Sequence, residues 1–435
     1  MIQWATPPTD GSVHSDGAPL RNQTIPNLLD STEEIQEFEY SGICLGTVEE
    51  PRIVGEAMSE ECWRQAMRSE MQAIKANHTW DVSVLPPKHK AIGLKWVFKV
   101  KKDPSGKVVK HKAHLVAKGY AQRHGVDFDE VFVPVARLET VRVLLPLAAQ
   151  GGWEVHHMDV KSTFVNGDLI ETVYVQQPPG FIVGDGTKVL KLRKALYGLK
   201  QAPRAWNSKL DSELVALDFV RSKLDHVVYR QNSKSSFLLV GVYVDDLIIS
   251  GHRVSDIRSF KLEMKKNFSM SDLSLLTYYL GIEVTQGEGG VTLCQSSYAA
   301  RILGVAGMSG CNPCETPMEC WVKLNKQKEG EAVDATAYRS LIGSLRYLVN
   351  TRPDLAYAVG VVSRYMEAPG KQHWAVVKHI LRYLKGTLGY GCKYERGTEL
   401  KPVLVGYSDS DFAGDVVDRK STSGVGYFLG ESLVT

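Results

Sequence analysis

The sequence has no uninterrupted apolar run long enough to span a bilayer and no signal-peptide pattern, so a soluble intracellular protein with no membrane partner is expected. Cysteine is sparse and irregular. Seven in 435 residues, an odd number without regular spacing, read as reduced thiols rather than a disulfide framework. Cys311, Cys314 and Cys320 supply one C-x-x-C pair in a Pro-rich loop but no fourth ligand, which argues against zinc. Basic residues are scarce at one end. Residues 1 to 61 hold twelve Asp or Glu against only Arg21 and Arg52, a balance of −10 in a chain whose total is +3, so the remainder is strongly basic. Residues 1–55 read as an acidic flexible linker, rich in Pro, Gly, Ser and Thr and without apolar periodicity.

Cations are also missing from Phe237 to Gly251, FLLVGVYVDDLIISG, where Asp245 and Asp246 lie between two apolar runs of strand length. The pattern predicts a hairpin with both acids at its tip. Two ionised carboxylates against an apolar sheet repel each other and lose hydration, which calls for a cation from elsewhere, magnesium being the natural candidate. A solvent-exposed Asp-Asp turn is the alternative for the pair taken alone. Order is expected from near Ser59, a capping-type residue, with Trp63, Ala66, Met67, Met71 and Ile74 at helical spacing.

The most basic stretch, Lys95 to His124, carries eight Lys and one Arg against Asp103 and alternates apolar and basic residues around a DPSG turn. It predicts a hairpin with Val97, Val100 or their neighbours on a core and lysines on the other face. That density of like charge is relieved by a polyanion such as a nucleic-acid backbone, or else is a solvated face. After a helix over Arg137 to Gln150, WEVHHMDVKSTFVNGD sets Asp159 in a strand-like run. A second carboxylate on a second strand is what a site for two metal ions about 3.5–4 Å apart needs. His156 and His157 are not expected as ligands, since magnesium prefers oxygen and neighbouring strand residues point to opposite faces. In LYGLKQAPRAW, Gln201 and Arg204 stand at the entrance of an amphipathic helix carrying Trp206, Leu210, Leu214 and Leu217, either capping it or contacting a phosphate or base. HRVSDIRSFKLEMKKNFSMSDLSLL reads as a helix, YYLGIEVTQGEGGVTLCQ as a hairpin through Gly287 to Gly290, and residues 336 to 386 as two or three helices.

The ordered series KWVFKVK, HMDVKSTFVNGDL, YVQQPPGF, LYGLKQAPRAW, YVDDLIISG, YYLGIEV, IGSLRYLVNTRPDLAYAV and GYSDSDFAGD resembles the reverse transcriptase and RNase H part of a copia-type retrotransposon polyprotein, from about Glu50 to the last residue. The resemblance implies an α+β right-hand polymerase: fingers and palm over 56–250, a thumb-like region over 251–325, a helical connection over 326–400 and an incomplete RNase H-like segment over 401–435. It implies an RNA-directed DNA polymerase, a nucleotidyltransferase acting on an RNA template, a DNA primer and dNTPs with two Mg²⁺ or Mn²⁺ ions. Asp159, Asp245 and Asp246 would be its catalytic, metal-binding triad. Phe164 would be the aromatic gate beneath the sugar, Gln201 would touch the incoming nucleotide and Tyr243 would steady the primer end. Lys95, Lys99 and Lys112 of the basic hairpin would hold triphosphate and template, and Asp409 would match the first RNase H acid. That chemistry needs further carboxylates from later helices and strands, which are expected beyond Thr435, so RNase H activity is not expected unless a partner supplies the remainder. The implied location is cytoplasmic virus-like particles or the nucleus.

Two departures bear on activity. His114 stands where the family has Arg, and Pro146 interrupts a helix. Zinc-knuckle, aspartic-protease and integrase motifs are absent from the sequence. The alternative is a catalytically inactive, transposon-derived nucleic-acid-binding remnant.

Overall fold

The computed structural model describes residues 50–87, 89–102, 108–184, 186–232, 237–319, 322, 324–325, 333–397, 403–415 and 419–434. The expected acidic linker lies outside them up to residue 49, as do the DPSG turn and Cys320. From Pro51 onward the fold is mixed α and β, and it is organised around a six-stranded antiparallel sheet. The strands run Met270–Leu275, Val155–Val160, Asp246–Gly251, Phe237–Tyr243, Val228–Asn232 and Val220–Arg221 from one edge to the other.

Alternation along these strands gives the sheet two faces. On one, Met158, Val160, Leu238, Val240, Leu247 and Ile249 pack against the helices Ala202–Ala216 and Val254–Asn267 through Trp206, Leu210, Leu214, Ile257, Phe260 and Met264. On the other, Val155 and Ile248 meet Val141, Leu145, Ala148 and Ala149 of the helix Leu138–Gly151. That helix runs unbroken through Pro146, although proline has no N–H for the Arg142 carbonyl. A second sheet closes over the same core, with Ile282–Gly287 and Gly290–Cys294 forming the expected hairpin and Gly391–Glu395 joining it from almost 100 residues downstream.

The basic segment is a two-stranded hairpin, Leu94–Lys102 with Val108–Ala117. Its core face holds Leu94, Trp96, Phe98, Ala113, Leu115 and Ala117, packed on Trp63, Met67, Met71 and Ile74 of the helix Glu61–Ala76. Val97 falls on the opposite face, beside the lysines, because the two-residue period that buries Trp96 and Phe98 turns it outward. Ser59 is not a cap. It ends a short helix, Val54–Ser59, with its hydroxyl bonded to the Glu56 carbonyl, and Glu60 takes the N-cap position without a side-chain bond. A third difference concerns MSDLSL. It was expected to continue a helix, yet it is the edge strand Met270–Leu275 of the central sheet, which therefore extends beyond residue 250. The helices Ser296–Val305, Ala335–Leu348, Ala356–Ser363 and Lys371–Gly386 share a separate core, and Leu404–Ser410, Ser423–Leu429 and Ser432–Leu433 form a small sheet.

Candidate active site

The hairpin Phe237–Tyr243 to Asp246–Gly251 turns through two residues, Val244 and Asp245. Tyr243 pairs with Asp246 across it, and Asp246 in turn lies directly opposite Asp159 on the neighbouring strand. Directly opposed residues share a face, so two carboxylates that are 87 positions apart in the chain stand side by side at one end of the sheet, with Asp245 in the adjoining turn. The turn is strained. Val244 has φ of 52°, a left-handed conformation that a β-branched residue seldom adopts. Two bonds hold it there: the buried Trp206 indole donates to the Val244 carbonyl at 2.6 Å, and the Val160 N–H donates to the Asp245 carbonyl at 2.9 Å.

Electrostatics at this corner are unfavourable for the acids by themselves. Burial, and then the neighbouring Asp246, push the Asp245 carboxyl up to about 6. The same two causes raise Asp159, against which Lys112, Lys101 and His157 pull downward. His157 also binds Asp246, Nε2 to Oδ1 at 2.6 Å, so it serves a carboxylate. His156 is taken up by Glu154 and Lys261. The donor set is three carboxylates, two of them, Asp159 and Asp245, held above their usual range, and oxygen donors of this kind suit a hard divalent cation. Among the described residues no three His, Cys, Asp or Glu groups converge on one point as they stand.

Facing the acids is the outer side of the basic hairpin. Lys99 pairs across it with Lys112, Lys101 with Lys110 and Val97 with His114, while Lys95 is exposed on the same face. Burial and then Lys101 lower the pKa of Lys112, which Asp159 offsets. Phe164 sits in the short turn Thr163–Asn166 after the Asp159 strand, packed between two cores. Tyr243 lies at the end of its strand beside Tyr279.

Gln201 does not reach this surface. It is 2% exposed, its amide oxygen accepts from Gln122 at 2.9 Å and its amide nitrogen donates to the Asp127 carbonyl at 2.8 Å. As the structure stands, this polar residue at a helix entrance organises the 119–128 loop. Arg204, nearby, is exposed and bonds the Phe132 carbonyl. Asp409 is exposed opposite Gly424 in the small C-terminal sheet, in a separate sheet from the triad.

Two residues escaped the sequence reading. Lys101 acts on Asp159 as Lys112 does, and alternation from Lys95 and Lys99 could have placed it on their face. Tyr197 lies edge-on to Phe164, ring centroids 4.6 Å apart, and 5.2 Å from His114. Its hydroxyl is held protonated far above the usual range by burial, then by Asp245, Glu70 and Asp159.

The reverse transcriptase (RNA-dependent DNA polymerase) family matches residues 77–320. The chain is 40% identical over 400 residues to the retrovirus-related Pol polyprotein from transposon RE1 of Arabidopsis thaliana, a match over 91% of this chain and 27% of that protein. It is 39% identical over 420 residues to the corresponding polyprotein from transposon TNT 1-94 of Nicotiana tabacum, over 93% of this chain and 31% of that one. It thus spans less than a third of either relative. A solved foamy viral protease-reverse transcriptase in complex with an RNA/DNA hybrid aligns over 90% of this chain and 52% of its own, with a TM-score of 0.42 at 11% identity, too distant to bear on the site. On the sequence matches, the chain belongs to the reverse transcriptase (RNA-dependent DNA polymerase) family, in the form carried by the Pol polyproteins of copia-type transposons.

Proposed function

We propose that this chain is an RNA-directed DNA polymerase that extends a DNA primer on an RNA template. The observation that carries the reading is the register that sets Asp246 against Asp159 with Asp245 in the adjoining turn, beneath a lysine-bearing hairpin face. Asp159 and Asp245, supported by Asp246, are the residues that would hold two Mg²⁺ or Mn²⁺ ions. Such ions, when bound, supply activation of a primer 3′ hydroxyl and neutralisation of a triphosphate and its leaving pyrophosphate.

The remaining work belongs to the protein. Lys99, Lys101 and Lys112 offer positive charge to a triphosphate lying between hairpin and sheet, and Lys95 extends that charge toward the template. Phe164 meets the sugar and excludes a 2′ hydroxyl by contact. Tyr243, beside the turn, steadies the primer end. His157 keeps Asp246 turned toward Asp159, and the Trp206 bond keeps the strained turn in place. Fingers and palm over 56–250, a thumb from 251 and a helical connection before an RNase H-like sheet are the parts this reading assigns. Cytoplasmic particles of the element are where it would act.

Primer extension on an RNA template with Mg²⁺ tests the proposal, with Asp245→Asn beside the unaltered protein. Extension by the unaltered chain, reduced at least a thousandfold in the variant, is expected. Salt-dependent binding of primer-template without extension by either protein would instead leave a nucleic-acid-binding remnant.

A further inference from the structure

Tyr197 is used by neither the triad nor the lysines, yet it is built into the corner between them. Its backbone is fixed first: the Ala117 N–H at the end of the basic hairpin donates to the Tyr197 carbonyl at 2.7 Å. That approach needs glycine on both sides. A Cβ at Gly198, whose φ is +85°, would fall 2.2 Å from the Ala117 carbonyl oxygen, and one at Gly119 would fall 2.0 Å from the Gly198 oxygen. With the backbone so clamped, the ring has its edge contact with Phe164 at 4.6 Å and an interplanar angle of 67°, and its other contact with His114 of the hairpin at 5.2 Å. Phe164 is otherwise on a four-residue turn that follows Ser162, itself at a φ of 50°, so its ring depends on neighbours for its attitude.

We propose that Tyr197 is a positioning residue for sugar selection, holding the Phe164 ring at the angle that meets the C2′ position of the incoming nucleotide and tying that ring to the basic hairpin. The inference rests on the reading of Phe164 as the sugar-contacting residue. It goes beyond that reading by assigning the selectivity to a pair of rings and by linking it to the hairpin that would hold the triphosphate. The Tyr197 hydroxyl is also bonded to the Thr163 side chain in the same turn as Phe164; the effect is assigned to the ring contact, and Tyr197→Phe separates the two.

The test is nucleotide binding without turnover. A primer ending in a dideoxynucleotide, annealed to an RNA template with guanine next to be copied, is bound to the full chain in Mg²⁺. Affinities for dCTP and CTP are then measured for the unaltered protein, Phe164→Ala, Tyr197→Leu and Tyr197→Phe. The unaltered protein and Tyr197→Phe should prefer dCTP to the same degree, and Tyr197→Leu should lose about tenfold of that preference, a difference of the size that one lost apolar contact gives. Phe164→Ala should lose at least as much. If Phe164→Ala loses the preference and Tyr197→Leu keeps it, Phe164 is confirmed as the selective residue and the role of Tyr197 is overturned. If Tyr197→Phe loses as much as Tyr197→Leu, the hydroxyl is responsible and the ring-contact proposal fails. An unaltered protein with no preference overturns both. Should Tyr197→Leu bind neither nucleotide, Tyr197→Met, which also removes the ring but keeps a flexible apolar side chain, is judged by the same criteria.

Discussion

Asp245 has a carboxyl that the folded chain opposes and its proposed chemistry requires. Its pKa is raised from 3.8 to about 6, so the folded state resists its ionisation while the unfolded state does not. That penalty is absent below pH 4, grows as the unfolded form ionises and is complete above pH 6, where it amounts to at most about 3 kcal/mol. Asp245→Asn should therefore raise the melting temperature of the metal-free protein at pH 7.5, with the gain shrinking toward pH 4. Adding Mg²⁺ should stabilise the unaltered protein and leave the variant nearly unmoved. A variant no more stable than its parent in chelator at pH 7.5 would contradict the electrostatic account. Trp206 bears on the same turn from behind. Trp206→Phe keeps most of the packing but removes the N–H that the Val244 carbonyl accepts, at a cost of about 1 kcal/mol. Extension should fall further than that small loss of stability suggests, because the turn carries the acids. Stability from urea unfolding and kcat from single-turnover extension would separate the two effects.

Charged residues were legible in the sequence for a plain reason. Acids between apolar strands and lysines at a period of two announce their faces without any knowledge of the rest of the chain. Tyr197 and Gln201 were not, since their settings are made by tertiary approach. Gln201 is buried because Gln122 and Asp127 reach it from a loop some 75 residues earlier.

At the level of elements, what decides the site is how closely the hairpin strand Val108–Ala117 meets the loop before the helix Ala202–Ala216. Gly198 is the point of closest approach, and a methyl group there meets backbone, which cannot swing aside. Gly198→Ala should cost about 2–4 kcal/mol, combining left-handed strain with the clash. Gly125 supplies the comparison, having φ of +74° but nothing within 4 Å of an added Cβ, so that Gly125→Ala should cost only about 1 kcal/mol. Equal losses in urea unfolding for the two variants would show that backbone conformation alone, without the close approach, matters. The strand Met270–Leu275 marks where pattern reading failed at this scale. It is an edge strand, mostly exposed and rich in Ser and Asp, so it carries almost none of the apolar alternation by which buried strands are recognised. The hairpin Ile282–Gly287 to Gly290–Cys294 was legible because its glycines and its alternation agree.

The whole molecule is less divisible than its sequence suggests. The family match ends at residue 320, yet the strand Gly391–Glu395 completes the sheet that begins at Tyr278–Tyr279. Its Cys392 and Tyr394 are buried in one core with Val141, Leu145, Val155 and Ile248, the layer packed on the same face of the central sheet as Asp159 and Asp246. Nothing local to residues 391–395 points to that partner, because pairing across almost 100 residues is fixed by packing. A fragment of residues 50–320 would therefore leave Val291 and Leu293 on an open sheet edge and remove Tyr394 from the core beside the site. Compared with residues 50–397, it should bind a hydrophobic dye, lose its cooperative unfolding transition and aggregate. If the shorter fragment instead unfolds cooperatively at the same urea midpoint as the longer one, the downstream strand is dispensable, and the central sheet is stable on the residues that the family itself spans.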